Sequence, residues 1–237
     1  MFEKKFISIG ISLITLLIFI QCSSQEYTSA KLYMQQDEWE KAEEFLVKAM
    51  VVEPDNPEIS CQLGYHIYGL RKKDWTMMNS SFDKALSIDP NKKIAILGQP
   101  TTVKEFVDVA RMQFWGEEYN KGVEEFNRYR TSKSDDKDIV LEKAINTFIT
   151  ASAIKPDEAR TYSMLSTSYF FAGDAVETLK NILKAVELSP EDANINLTAG
   201  QIFMQKQEFE QALPYVKKAV ELDPSNTKSI RNLAQIY

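Results

Sequence analysis

The 237-residue sequence is short of the residues that make tight turns and of those that bind metals. Glycine and proline occur eight times each, together about 7% of the chain, whereas average proteins contain about 12%. Because β-rich chains need glycine at many turns, this shortage predicts helices joined by few, repeated connections. One histidine and two cysteines offer too few ligands for a typical protein metal site, so we expect no metal.

Sequence motifs of catalysis are missing as well. The chain contains no HExxH, GxSxG, CxxC or glycine-rich phosphate loop. The single histidine, His66, has no obvious catalytic partner, and Cys61 has the character of a small buried residue. Adjacent acidic residues such as Glu124 and Glu125 point about 100° apart on a helix, so they cannot share one proton-transfer site. We therefore predict a protein that is not an enzyme and that uses no cofactor.

The balance of charge argues against a nucleic-acid partner. The chain carries 28 basic and 34 acidic residues, a net charge of −6, and no run of five like charges. An acidic surface of this kind does not attract phosphate backbones. The hydrophobic fraction of 44% and the charged fraction of 26% are typical of a soluble globular chain, except at its N-terminus.

The N-terminus has the pattern of an export signal. Two lysines, Lys4 and Lys5, precede the uncharged stretch 6–20, which is shorter than the roughly 20 residues of a membrane span. Cys22 follows, then two serines. This arrangement resembles a bacterial lipoprotein signal, although Gln21 stands where that family usually has a small residue. The resemblance implies removal of residues 1–21 and attachment of lipid to Cys22.

If lipidated, the chain would be held in the bacterial cell envelope, on the periplasmic side of the outer membrane. Two alternatives remain open for the same segment. It could stay uncleaved as a single-pass signal anchor, or it could direct ordinary secretion and leave Cys22 as a free thiol.

An internal repeat dominates the remainder of the chain. Five times, an alanine stands five residues before a proline, and these prolines are Pro54, Pro90, Pro156, Pro190 and Pro224. The intervals between them are 36, 66, 34 and 34 residues. A period of 34 residues that ends in proline resembles the tetratricopeptide repeat, in which each unit is a pair of antiparallel helices, A and B.

The resemblance implies an all-α, right-handed superhelix of about five helix pairs with a C-terminal capping helix. It would occupy residues 22–237, with repeats at 23–56, 57–92, 159–192 and 193–226, an irregular unit at 101–158, and the terminal helix at 227–237. Small residues such as Gly64 and Gly200 would let paired helices approach closely. The second unit has two extra residues, which we place in the turn 71–73. Met78 stands at a usually small position, which predicts that packing in this unit is looser or shifted.

The irregular unit has two interpretations. Apolar residues at helical spacing predict a helix from Thr102 that runs on to Thr131, about 30 residues in all. A second helix over 138–153 would follow after a loop about ten residues longer than usual. In the alternative, residues 103–129 form a helical unit of their own.

In the tetratricopeptide family, peptides are bound by helix A residues that point away from helix B. Five residues of this chain that match those positions are Tyr27, Lys31, Met34, Cys61 and Val123. The ten residues that we select as the candidate groove are Tyr65, Tyr68, Tyr119, Phe126, Ser163, Thr167, Phe170, Leu197, Gln201 and Met204. Family members that bind chaperone tails use lysine and asparagine at such positions, so that subtype is disfavoured.

Aromatic and apolar side chains with scattered amides suit an extended or helical segment of another protein. The sequence thus predicts a membrane-anchored scaffold that recruits or assembles protein partners in the envelope. Two other functions stay open: a ligand-binding receptor subunit of a transport system, and a structural spacer without a ligand. The first would need a closed pocket, whereas a scaffold needs an open groove.

Overall fold

The computed structural model describes residues 23–96, 98–133 and 136–237. The predicted signal segment 1–21 and the predicted lipidation site Cys22 lie outside the described residues. Within the described part of the chain, eleven α-helices are present. They are α1 (Gln25–Gln35), α2 (Trp39–Val52), α3 (Pro57–Gln62), α4 (Trp75–Ile88), α5 (Val103–Thr131), α6 (Lys137–Ile154), α7 (Ala159–Ala172), α8 (Ala175–Leu188), α9 (Ala193–Gln205), α10 (Phe209–Leu222) and α11 (Thr227–Ile236).

Two further features complete the secondary structure. A π-helical segment, Leu63–Lys72, continues directly from α3. Two short strands, β1 (Lys93–Ile94) and β2 (Thr101–Thr102), pair antiparallel just before α5. This small hairpin was not expected from the sequence. Among the described residues, no helix combines the length and the apolar character needed to cross a bilayer.

The described residues divide into two compact units, a first that ends at Pro54 and a second over Asp55–Tyr237. In the described part of the first unit, α1 and α2 pack against each other through the fully buried Ala30 and Ala42. The rings of Tyr33 and Phe45 lie 5.1 Å apart. The side chain of Ser24 caps α1 by accepting a hydrogen bond from the Tyr27 amide. The first predicted helix pair is therefore present.

The second unit contains the other helix pairs: α3 and the π-helical segment with α4, α5 with α6, α7 with α8, and α9 with α10. Glycines mark close contacts within these pairs. A Cβ atom added to Gly64 would lie 2.6 Å from the Phe82 ring, and one added to Gly200 would collide with Val216. The chain thus has the all-α architecture of consecutive helix pairs that the sequence predicts.

The prolines end the B helices at matching places. Each B helix stops two residues before its proline, because proline disfavours a helical conformation in the residue before it. The alanine five residues before each proline is fully buried in every case. These alanines are Ala49, Ala85, Ala151, Ala185 and Ala219.

The two extra residues of the second unit do not lengthen a turn, which corrects our expectation. Helix A of this unit continues to Lys72, and only Lys73 and Asp74 separate it from α4. The extra length is taken up in the π-helical segment, where hydrogen bonds span five residues in place of four. Met78 is fully buried in this unit.

The irregular unit contains the long helix. Helix α5 runs for 29 residues without interruption, so the alternative of a separate unit over 103–129 is wrong. The loop to α6 spans only residues 132–136, much shorter than we expected. The extra residues of this unit are helical, because apolar positions such as Phe106 and Val107 continue the buried face of α5 upstream.

Candidate functional site

Three helices of the second unit, α7, α9 and α11, supply most of the lining of an open cleft of about 730 Å³, and Gln207 and Phe209 at the start of α10 complete it. We call it the α7–α9–α11 cleft. Its volume is within the usual range for ligand sites, about 300–1,000 Å³. The lining residues are Thr167, Phe170, Phe171, Thr198, Gln201, Ile202, Met204, Gln205, Gln207, Phe209, Lys228, Asn232 and Gln235.

Four predicted groove residues meet in this cleft: Thr167, Phe170, Gln201 and Met204. On each helix the two members are three residues apart, a spacing that places side chains on one helix face. Thr167 and Phe170 come from α7, and Gln201 and Met204 come from the same face of α9.

Four other residues that we predicted to line the groove are buried in the packed interior, so the prediction is wrong for them. Tyr65, Tyr68, Phe126 and Leu197 expose only 7%, 8%, 5% and 6% of their surfaces. The ring of Tyr65 lies 5.6 Å from Phe106 and 5.4 Å from Phe114, both on the long helix. Because α5 extends further upstream than an ordinary helix A, it supplies the aromatic partners that cover Tyr65.

Tyr119 and Ser163 are half-buried and lie outside the residues that line the cleft. The Tyr119 ring stacks on Trp115 with 4.8 Å between centroids. The Arg160 guanidinium sits 4.6 Å from the Trp115 centroid, where it partly covers this pair. Burial raises the pKa of the Tyr119 hydroxyl. These two positions therefore do not share one surface with the cleft residues.

Among the other helix A positions, Tyr27 and Cys61 are fully buried. The ammonium group of Lys31 lies 4.0 Å from the centre of the Tyr27 ring. Val123 is only partly buried and packs against the core formed by α5, α6 and α7. The aromatic side chains that the sequence predicts along the groove are thus largely buried in the core.

Amide side chains are the main polar groups of the cleft. Gln201, Gln205, Asn232 and Gln235 make no side-chain hydrogen bond to any residue that the structure describes. The Nδ2 atom of Asn232 is buried and has no hydrogen-bond partner in the described structure. Buried donors are normally paired, so this atom is one of the few exceptions among the described side chains.

The cleft carries almost no charge. Lys228 is the only charged residue among its described lining, and no carboxylate lines it. The side chains of Phe170, Phe171 and Phe209 expose 39%, 48% and 40% of their surfaces. Sequence reasoning missed Phe171, Phe209 and all three residues of α11, although the helical spacing of Lys228, Asn232 and Gln235 was visible in the sequence.

The two residues with reactive potential, His66 and Cys61, have pKa values shifted by burial. Burial and the nearby Arg71 lower the pKa of His66 to about 4. Cys61 is fully buried, and burial raises the pKa of its thiol to about 12. Within the described ranges, no group of three or more His, Cys, Asp or Glu side chains is arranged to hold a metal ion.

Comparison with protein families identifies one stretch directly. The family model described as "Tetratricopeptide repeat" matches residues 193–226, which contain α9 and α10. These limits coincide with those of the repeat that the 34-residue period predicts there. The α9–α10 pair therefore matches a tetratricopeptide repeat, and the other described helices are also arranged in consecutive packed pairs.

Individual proteins resemble the chain more distantly. BBSome complex member BBS4 of Bos taurus is 31% identical over 70 residues, which cover 30% of this chain and 14% of that protein. The chain thus spans about a seventh of the length of this curated relative.

Two solved structures are similar in fold. The thermophilic TPR protein TTC0263 of Thermus thermophilus has 14% identity and a TM-score of 0.42, over 91% of this chain and 98% of that one. The first TPR of Spaghetti (RPAP3), bound to an HSP90 peptide, has 17% identity and a TM-score of 0.45, over 52% and 89%.

Proposed function

We propose that this protein is a non-catalytic scaffold that binds segments of other proteins in its α7–α9–α11 cleft. The observation that carries the proposal is the convergence of four predicted groove residues in one open cleft. Exposed phenylalanine rings there can bury an apolar side chain of a partner, and the amides can fix its register.

The shape and chemistry of the cleft favour a polypeptide over a small molecule. Small-molecule sites usually enclose most of the surface of their ligand, whereas this cleft opens along three helices. Tetratricopeptide repeats are in general protein-interaction modules, as the RPAP3 structure with its HSP90 peptide illustrates for that protein. A scaffold is therefore preferred to a receptor subunit of a transport system.

The second part of the proposal is an anchor in the bacterial cell envelope. Its support is the sequence of the N-terminus, where an uncharged stretch over 6–20 precedes Cys22 and two serines. With a net charge of −6, the chain would not adhere to anionic lipid by itself, so acyl chains on Cys22 would hold it. The scaffold would then recruit or assemble partners at the periplasmic face of the outer membrane.

A crosslinking experiment tests the binding site. Partners would be crosslinked to the protein in intact cells, purified with it and identified by mass spectrometry. We expect the variant with Phe170→Ala and Met204→Ala to lose most of the captured partners, because truncating apolar anchors weakens binding strongly.

The matched control carries Val109→Ala and Ile139→Ala, two exposed apolar residues outside the cleft. It should capture the same partners as the unmodified protein. If the cleft variant is folded by circular dichroism and still captures the same partners in the same amounts, the assignment of the cleft is wrong.

Membrane fractionation tests the anchor. The Cys22→Ala variant should leave the membrane pellet. The mass of the unmodified protein should exceed the mass of the polypeptide 22–237 by that of the lipid. Cys61→Ala serves as the control and should stay in the pellet. A Cys22→Ala protein that remains in the membrane with the mass of the unmodified protein would remove the lipid anchor from the proposal.

A further inference from the structure

One end of the α1–α2 pair carries exposed apolar side chains close to the predicted lipidation site, Cys22. We call residues 23–28 and 49–54 the anchor end. Resting on the lipid anchor of the proposed function, we infer that the anchor end sits directly on a bilayer of zwitterionic lipid, with Val51 and Val52 in contact with it. The inference depends on the tether, the exposed side chains and the charge of this end.

The tether between the predicted lipid and the folded protein is very short. Only Ser23 separates Cys22 from Ser24, and Ser24 is already part of the folded pair. Its backbone N–H donates a hydrogen bond of 2.5 Å to Oε1 of Glu53, and its hydroxyl accepts one of 3.1 Å from the Tyr27 amide. The Cα atoms of residues 22 and 24 can be at most about 7 Å apart. Lipid on Cys22 would therefore hold Ser24 at the surface of the bilayer.

The last turn of α2 lies at the same end of the pair as Ser24. Only residues 36–38 connect α1 to α2, and connections this short join antiparallel neighbours. The hydrogen bond from Ser24 to Glu53, the residue that follows α2, joins the two helix ends directly. A lipid that holds Ser24 at the bilayer therefore brings the last turn of α2 there as well.

That last turn is apolar and open to solvent. Val51 and Val52 expose 78% and 57% of their surfaces. Single exposed apolar residues are common on proteins, so the meaning of these two comes from their place beside the tether. Adjacent residues point about 100° apart around a helix, so the two valines cover more than one side of the helix end. An end-on contact could bury both at the boundary between headgroups and acyl chains, where burial of apolar surface is favourable.

The charge of the anchor end indicates which lipid it fits. The two segments 23–28 and 49–54 contain no lysine or arginine and two acidic residues, Glu26 and Glu53. Anionic lipid surfaces attract basic segments, so they would repel this end. A zwitterionic bilayer avoids that repulsion and still offers the valines an apolar phase.

Spin labels that report contact with lipid test the inference. The full chain with Cys61→Ala and one of Val51→Cys, Val52→Cys or Leu32→Cys is purified from membranes in detergent, labelled with a nitroxide and reconstituted into vesicles of phosphatidylethanolamine and phosphatidylcholine. Relaxation by dissolved oxygen is compared with relaxation by a water-soluble nickel chelate. We expect the ratio of oxygen to nickel accessibility at positions 51 and 52 to be about threefold or more above that at 32, because lipid enriches apolar oxygen and excludes the polar chelate.

Leu32 is the matched control because it is also apolar and exposed, at 50%, and lies in the same unit. It is eight residues along α1 from Ser24, which is about 12 Å at the helical rise. A label there should lie in water. Because all three positions are exposed, the labelled proteins should keep the fold, which circular dichroism checks.

The outcomes separate this inference from the proposed anchor. Equal ratios at all three positions, in protein that carries lipid by mass and floats with the vesicles, would overturn the inference and leave the anchor intact. Equal low ratios would mean that the pair stands off the bilayer, and equal high ratios that it lies flat on it. Protein that carries no lipid and does not float with the vesicles would remove the anchor and the inference together.

Discussion

Two glycines of the long helix α5 have opposite surroundings. A Cβ atom added to Gly122 would lie 2.6 Å from Cε1 of Phe148, whose side chain is fully buried in the core between α5 and α6. A Cβ atom added to Gly116 would meet nothing within 4 Å. Packing therefore requires glycine at position 122. At position 116 glycine only lowers the stability of the helix.

We predict that alanine has opposite effects at these two positions. Gly122→Ala should lower the free energy of unfolding by about 1–3 kcal/mol, because the methyl group must displace the Phe148 ring in a filled core. Gly116→Ala should raise it by about 0.5–1 kcal/mol, because alanine is the better helix former. Urea unfolding followed by circular dichroism measures both, and shifts of the same sign would contradict the packing argument.

His66 gives a second test at the scale of one residue. Its folded pKa is about 4, below the usual value of about 6.5, so the folded state favours the neutral imidazole. The corresponding stabilisation is complete above pH 6.5 and is lost as the pH falls through 4. Because His66 is the only histidine, an NMR titration of its imidazole protons gives this pKa without assignment. A native-state value near 6.5 would show that the ring is hydrated.

At the scale of elements, the second unit adapts to irregular repeat lengths by changing its helices and keeping its turns short. The two extra residues of one unit are accommodated in the π-helical segment Leu63–Lys72. The extra length of the irregular unit lies in α5, which is 29 residues long. Such a long helix needs a defined start. Thr102 and Glu105 form a capping box there, in which each side chain bonds to the backbone N–H of the other residue.

Removal of this cap should destabilise the protein measurably. Thr102→Ala should lower the free energy of unfolding by about 1 kcal/mol, because the first turn of α5 loses its side-chain acceptor. Thr150→Ala is the control, since Thr150 is partly exposed within α6 and its hydroxyl donates a hydrogen bond to the carbonyl of Asn146. The control should be neutral or slightly stabilising in the same urea experiment, and equal losses in both variants would argue against the capping box.

At the scale of the second unit as a whole, successive helix pairs are joined by side chains that cross between A helices. The indole N–H of Trp115 on α5 donates a buried hydrogen bond of 2.7 Å to the Thr161 hydroxyl on α7. Thr161 is fully buried and Trp115 nearly so. Because each repeat packs mainly on its neighbours, a contact of this kind couples the unfolding of adjacent pairs.

We predict that Thr161→Val weakens this coupling. Valine keeps the volume but leaves the Trp115 N–H buried without an acceptor, which should cost about 1–3 kcal/mol of stability. Hydrogen exchange followed by mass spectrometry should show faster exchange in α7 and in the middle of α5. Thr150→Val, at a partly exposed position of α6, provides the comparison and should leave exchange in α7 unchanged. Unaltered exchange in the Thr161→Val protein would mean that the hydrogen bond does not couple the pairs.

The candidate site was only partly predictable from the sequence. Thr167, Phe170, Gln201 and Met204 were found because the repeat period gives the helix face, and that face is open between α7, α9 and α11. Tyr65 and Phe126 follow the same rule, yet they are buried by aromatic side chains contributed by α5 and α7. Periodicity gives the direction of a side chain relative to its own helix, and it carries no information on which other helix lies in that direction.

The sequence by itself determined the helix pairs and their ends. Proline stops each B helix, and alanine at a fixed distance before it fits the narrow gap between helices, because both effects act over a few residues. Only the tertiary structure decided that two extra residues become π-helix, that Met78 is fully buried, and that α11 completes a cleft with Asn232. Each of these outcomes depends on contacts between residues far apart in the chain, whose free energies are settled only when the helices pack.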